Sequence, residues 1–317
     1  MGAAAIAQEF VGGVQKHTKQ VVVAVASRTP GKAAAFAEKF GIESHDNYDD
    51  LLARDDIDVI YIPTLPTQHR DHALMAIKAS KHVLIEKPIT MDVEEAKEIF
   101  AAAKAAGVLA MEAMWTRYLP QYDIARQLVA NGTLGTLDVV NASFCNDNRA
   151  VPRLWKKGHG DILFDMGIYP ISFAQSFLGN PISINAQGVL NADKLDEEVS
   201  VQLTYANGAR AYILVSGRVT LPVVASVGGS KGHLTMTHPF LVPSGLEVSG
   251  LDLYSPIESW RDESPVVGHE GLSYPATALA SYVAAGLLES PIESHADSIA
   301  NIAVCAEIIR QIGAEVL

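Results

Sequence analysis

The chain has 317 residues, 49% apolar and 19% charged, and a formal net charge of −12. That length allows two domains, each with its own core, and the composition excludes a disordered chain. The acidic balance excludes a broad surface for nucleic acid or anionic membrane, while leaving room for a local basic pocket that holds a phosphate.

No apolar run approaches the ~20 residues of a membrane span. The start lacks the basic and apolar regions of a signal peptide, so a cytoplasmic location is expected. Cys145 and Cys305 have no metal-type spacing and read as buried thiols. His69 and His72 flank Asp71, but no histidine spacing points to a metal site, and none is expected.

The opening stretch, MGAAAIAQEF, has the outline of a dinucleotide turn, G-x-G-x-x-G/A, leading into a helix. Gly2, Ala4 and Ala7 take the three marked positions, and Ile6 lies among them. Only one glycine remains, so from this stretch alone a plain Ala-rich helix start is the favoured reading, and the context of the following strand is what raises the cofactor turn. Such a turn should follow a β-strand at the centre of a parallel sheet, and none precedes Gly2. Two expectations follow. Either Met1 is an internal start, with roughly 5–10 residues of strand ahead of it, or the fold tolerates a gap. Loss of that strand would strip two neighbours of ladder partners and leave the turn frayed.

Strands and helices then alternate. QVVVAVAS (20–27) is a β-branched run suited to a strand buried on both faces. The stretch 29–41 reads as a helix, with Pro30 near its first turn and Gly41 near its end. Strands are predicted at 58–63, 82–87 and 108–113 and helices at 68–80 and 92–107, the last with Asp92 and Glu95 at capping-box spacing. This alternation predicts a parallel sheet with right-handed crossovers, an α/β domain over 1–115.

From 116 the rhythm changes. A helix near 118–132 is followed by a long strand, TLDVVNASFCND, and a mostly apolar helix at 162–179. Six strand-like stretches then succeed one another from 182 to 254, with Asn207-Gly208 marking a hairpin. Helices at about 273–289 and 295–313 close the chain. The second domain, 116–317, is therefore expected to be α+β, with a large open, mainly antiparallel sheet covered by helices on one face.

Two places carry chemistry. The first strand ends in Ser27-Arg28, where NAD enzymes usually place a carboxylate for the ribose hydroxyls. A guanidinium there attracts a 2′-phosphate instead, which predicts NADP(H) over NAD(H). VLIEKP puts Glu86, Lys87 and Pro88 at a strand's C-terminal end, the edge at which open α/β sheets bind ligands. A lysine there can hydrogen-bond a reacting oxygen; an ordinary strand-end lysine looks the same.

Taken together, GAAAIAQEF, ASRTPGKAAAFAEKFG, PTLPTQH, KHVLIEKP, MEAMWTRYLP, GTLG and GHGDILFDMGIYPISFA resemble the glucose–fructose oxidoreductase / inositol dehydrogenase / rhizopine-catabolism (Gfo/Idh/MocA) family over nearly the whole chain. MEAMWTR and the last block look most like the dimeric dihydrodiol dehydrogenase branch. The resemblance implies a Rossmann domain, an open-sheet second domain, and hydride transfer between NAD(P) and a carbinol. It implies that Lys87 stands beside nicotinamide and substrate. It also sets Asp165 and Tyr169 on the D-x-G-x-[HY] motif, with Tyr169 as proton donor or acceptor where many relatives have histidine.

By the same likeness Thr64, Leu65 and His69 match a cofactor segment, with Leu65 and Pro66 departing from its usual order. Trp155-Lys156 falls where many relatives have Trp-Arg near the nicotinamide, and Tyr274 where relatives send a tyrosine into the site. From the residues alone, Asp165 and Tyr169 share a helix face at i, i+4, and a nearby lysine would help a tyrosine ionise.

The expected function is an NADP-dependent oxidoreductase acting on a secondary alcohol or ketone of a diol, sugar or related small molecule. The competing reading is a non-catalytic nucleotide or sugar sensor on the same fold. A homodimer or homotetramer is expected through the open sheet face. Sedimentation as a monomer at micromolar concentration would contradict it.

Overall fold

The structure, a computed structural model, describes residues 1–317. The chain divides into two compact units, Met1–Tyr118 with Val266–Ile299, and Leu119–Pro265 with Ala300–Leu317. Sequence order alone placed 266–299 in the second domain. Polar ties bind this segment to the first unit, among them Glu270 with Lys16 and His17 at 2.6 and 2.9 Å, Arg117 with Glu293 at 2.8 Å, and Tyr118 Oη, which donates to Ser290 Oγ at 2.8 Å.

The first unit opens with α1 (Ala5–His17), β1 (Ala24–Ala26), α2 (Lys32–Phe40), β2 (Glu43–His45) and α3 (Tyr48–Leu52). It continues through β3 (Val59–Ile62), α4 (Pro66–Lys78), β4 (His82–Glu86), α5 (Val93–Ala106) and β5 (Ala110–Ala113). All its strand pairs are parallel, but the sheet lies in two pieces, β1–β2 and β3–β4–β5. The run 20–27 therefore forms a ladder only over 24–26, because β2 supports one side and no strand supports the other. The opening turn is not frayed. The Met1 amine donates to Tyr61 O at 2.7 Å, and Gly2 N donates to Ala26 O at 2.8 Å, so two residues span the gap. The caps of α5 follow the sequence: Asp92 accepts from Glu94 N and Glu95 N, and Gly107 ends the helix at φ 68°.

In the second unit, α6 (Pro120–Ala130) and β6 (Leu137–Cys145) are followed by α7 (Ile168–Leu178). Then come β7 (Ser183–Leu190), β8 (Asp196–Thr204), β9 (Arg210–Ser216), β10 (Ala225–Gly229), β11 (Gly232–Met236), β12 (Gly245–Ser249) and β13 (Ile257–Arg261). They form one eight-stranded sheet, order β13-β12-β11-β10-β6-β9-β8-β7, in which only β6–β9 is parallel. The Asn207-Gly208 hairpin joins β8 to β9, with Gly208 at φ 89°. The exposed strand β13 was not anticipated, since its Ile-Glu-Ser-Trp-Arg pattern lacks a clear apolar face.

α7 packs on the buried face of β6, β9 and β10. Phe173 at its centre is fully buried, a contribution of roughly 1.5–3 kcal/mol for such a side chain. The helix expected over 162–179 begins instead as a π-helical turn, Leu163–Gly167, which is continued by α7. The chain ends with α8 (Ser273–Ala284), shorter than expected because Gly286 turns at φ 70°, and α9 (His295–Ile312). Cys145 and Cys305 are buried and share no disulfide.

Candidate active site

In the first unit, the turn before α1 meets the demands of a phosphate cradle. Gly2 sits at φ 107°, and a Cβ there would come within 2.9 Å of Thr64 Cγ2. No side chain caps the N-terminus of α1 and no acid lies in its first turn. Its first N–H groups and the positive end of its dipole are therefore left for an anion. Ala4 is the N-cap, and Ile6 and Ala7 lie in the first turn.

At the end of β1 Ser27 is buried and accepts from Thr29 N at 3.2 Å. Arg28 beyond it is exposed, its guanidinium 5.3 Å from the ring centre of Tyr48. That stacking holds a cation at the strand's C-terminal end. The residues present thus fit a dinucleotide, and no carboxylate stands where Arg28 does.

β4 delivers Glu86 and Lys87. Glu86 is buried and accepts from Tyr61 Oη at 2.6 Å and from Lys87 N at 3.2 Å. The carboxylate thus fixes the backbone from which the Lys87 side chain departs. His69 Nε2 lies 3.0 Å from Thr64 O, while its Nδ1 lies 3.0 and 3.2 Å from Pro88 O and Ile89 O. Carbonyls on both sides favour the charged ring, but full burial outweighs them and lowers its pKa to about 4. A neutral His69 donates from one nitrogen and ties the Thr64–Leu65 turn to the loop after Lys87. Leu65 is the N-cap of α4. Tyr274 stands half-buried in the first turn of α8.

Two residues of this unit escaped the sequence reading. Tyr61 is one. The other is Glu112, buried in β5, which accepts from Ile89 N at 2.8 Å and from Ser298. Burial raises its pKa to about 7. A lone carboxylate inside the apolar run VLAMEA was the available signal.

In the second unit the π turn presents Asp165, and Tyr169 follows in the first turn of α7. Asp165 Oδ2 accepts from Arg153 at 3.0 Å. Tyr169 is buried, its ring 6.0 Å from that of Phe144. π turns recur at functional sites because they rotate side chains off the regular helical face.

A buried carboxyl pair holds the start of this turn: Asp196 Oδ2 accepts from Leu163 N at 2.7 Å, and Asp161 Oδ1 from Phe164 N at 2.8 Å. Burial first, then repulsion from Asp196, raises Asp161 well above the usual carboxylate range. Asp161, three residues ahead of the N–H it caps, was legible as a cap; Asp196 had no local signal. Trp155 Nε1 donates to Asn148 O at 2.8 Å, and Lys156 beside it is exposed. Lys87 belongs to the first unit and Asp165, Tyr169, Trp155 and Lys156 to the second; each set is ordered within its own unit.

Comparison with known proteins agrees with this architecture. Residues 1–114 match the oxidoreductase family with an NAD-binding Rossmann fold, and residues 122–235 match the GFO/IDH/MocA C-terminal domain. The trans-1,2-dihydrobenzene-1,2-diol dehydrogenase of Sus scrofa is 34% identical over 303 residues, 94% of this chain and 90% of that protein. The Xenopus tropicalis enzyme of the same name is 32% identical over 296 residues, 92% of this chain and 90% of its own.

Among solved structures, a 3-ketoreductase from Actinomadura kijaniata, in complex with TDP-benzene and NADP, superposes with a TM-score of 0.82 at 28% identity, covering 98% of this chain and 95% of that one. A levoglucosan dehydrogenase in complex with NADH and levoglucosan shares the fold, with a TM-score of 0.87 at 19% identity and the same coverage. An NAD-binding half and a C-terminal half are thus matched in order on one chain, which is an oxidoreductase belonging to the Gfo/Idh/MocA family.

Proposed function

We propose that this oxidoreductase uses NADP(H) and acts on a secondary alcohol or ketone of a diol, sugar or related small molecule. The observation that carries the reading is Lys87 at the C-terminal end of a parallel strand, its backbone held by a buried carboxylate. The relatives' names, a diol dehydrogenase and a 3-ketoreductase, support the alcohol-or-ketone class of substrate. The NADP-bound relative and Arg28 support the cofactor.

When bound, the nicotinamide exchanges a hydride with the carbinol carbon. Gly2, Ala4, Ile6 and Ala7 would hold its pyrophosphate at the start of α1, where backbone N–H groups can donate to it, and Ser27 and Arg28 its ribose phosphate. Thr64, Leu65, His69, Glu86, Trp155, Lys156 and Tyr274 complete the cofactor's surroundings, His69 by holding backbone. Tyr169 moves the proton at the substrate oxygen. Lys87 lowers that oxygen's pKa. Asp165, held by Arg153, orients the substrate.

Two measurements test this. Titration with NADPH and NADH, followed by nicotinamide fluorescence, should show tighter NADPH binding, and Arg28→Asp should reverse the order. A variant that kept its preference for NADPH would remove the role of Arg28. Tyr169→Phe should lower turnover about 10²–10⁴-fold, the worth of a positioned proton donor, with cofactor binding unchanged; unchanged turnover would eliminate Tyr169.

A further inference from the structure

The first unit holds four arginines, and three of them sit against carboxylates. Arg54 pairs with Glu43 and Asp56, Arg70 with Asp71 and Glu98, and Arg117 with Glu293. Arg28 pairs with no acid; its guanidinium lies over the ring of Tyr48 instead, 5.3 Å from the ring centre. A carboxylate would occupy its donors. A ring occupies only one flat face and leaves the N–H edge for another anion.

The local sequence builds this arrangement. Ala26 lies opposite His45 in the β1–β2 ladder, and Ser27 N donates to His45 O at 3.2 Å. The residues that follow β2 therefore arrive beside the strand end that carries Arg28. Asn47 caps α3 by accepting from Asp50 N at 2.8 Å, which makes Tyr48 the first residue of that helix, with its side chain buried. His72 of α4 meets the tyrosine ring edge-on, with centroids 4.9 Å apart and planes at 82°. Its Nδ1 lies 2.9 Å from Thr64 Oγ1. Arg28, Tyr48, His72 and Thr64 thus touch in series, from the end of β1 to the turn before α4. Burial first, then the charge of Arg28, lowers the pKa of His72 to about 4. At neutral pH its ring is uncharged and adds no second cation beside Arg28.

We propose, resting on the NADP(H) reading above, that Tyr48 is a positioning residue for cofactor choice: its ring, backed by His72, presets the Arg28 guanidinium for the 2′-phosphate. An arginine side chain has large rotamer freedom, which an anion must otherwise freeze as it binds. A guanidinium already laid on a ring has lost part of that freedom beforehand, so its alignment costs the complex less. NAD(H) has a hydroxyl where NADP(H) has the phosphate and gains little from an aligned cation. The effect of Tyr48 therefore falls on one cofactor and not the other. Neither Tyr48 nor His72 needs to touch the cofactor.

The test is fluorescence titration of the 317-residue protein with NADPH and with NADH. Tyr48→Leu should weaken NADPH binding about two- to fivefold, the worth of an exposed cation–π contact, and leave NADH affinity at the parental value. Tyr48→Phe keeps the ring and should keep the parental preference. In an Arg28→Leu background, Tyr48→Leu should change nothing further, because the two side chains act as a unit. Equal loss for both cofactors would make Tyr48 merely structural, and it overturns the proposal. So do an unchanged NADPH affinity and an additive effect in the double variant. Should Tyr48→Leu not fold, the parent decides: the ring should move the Arg28 Nε–H proton resonance upfield, with the signal assigned by its loss in Arg28→Lys, and an unshifted resonance overturns the proposal. A parent without NADPH preference, or an Arg28→Leu variant that keeps it, removes the NADP(H) reading and this inference together. Preference lost in Arg28→Leu but kept in Tyr48→Leu removes this inference alone.

Discussion

Glu112 is a buried acid whose proton has consequences. Its pKa rises from 4.5 to about 7 because burial disfavours the charged form. The folded state therefore keeps a proton that the unfolded state has lost across that interval. The associated stability is fully present below pH 4.5 and is lost as pH rises through 7. Glu112→Gln keeps the side chain's length and its bond from Ile89 but cannot ionise. Its stability relative to the parent should grow by about 2–3 kcal/mol between pH 5 and pH 8. Urea unfolding at the two pH values checks this, and parallel curves for parent and variant would refute it.

The same residue shows what was readable. Lys87, Asp165 and Tyr169 stood in motifs, whereas the groups that position them did not. Glu86 was legible by adjacency. Asp196, 31 residues beyond Asp165 in the sequence, meets the π turn only through the fold.

At the scale of elements, strands and helices with a sustained period were legible, and the departures have physical causes. β1 is short because one of its edges has no partner. The π turn replaced a regular helix start because two buried carboxyls hold its first N–H groups. Its last residue, Gly167, is packed so closely that a Cβ would fall 2.7 Å from Leu163 Cδ1 of the same turn and 3.3 Å from Val215 Cγ2 of β9. The motif glycine between Asp165 and Tyr169 thus serves close packing, without any positive φ. Gly167→Ala should cost about 1–3 kcal/mol through overpacking and lower turnover by moving Asp165. Thermal unfolding with a parallel assay decides it; a variant with parental Tm and rate would show that Leu163 can give way.

At the scale of the molecule, two α/β-type units were legible from the change of rhythm near residue 116. The return of 266–299 to the first unit was not, because ion pairs such as Lys16–Glu270 join residues far apart in sequence.

One feature of the second unit reaches further. The Gln311 carboxamide of α9 donates to Ile184 O and accepts from Ala186 N, both at 2.9 Å, on the outer edge of β7. A side chain thus imitates the neighbouring strand that β7 lacks, while β13 ends the sheet on the other side. In the language of polymer chemistry, the sheet is monofunctional and Gln311 is its chain stopper. A unit with one reactive end can pair and then stop. Gln311→Leu would make it bifunctional, and light scattering on concentration should then report open-ended growth that the parent does not show at the same concentrations. Solubility in this protein would then depend on a single amide, placed where the sheet would otherwise go on adding strands.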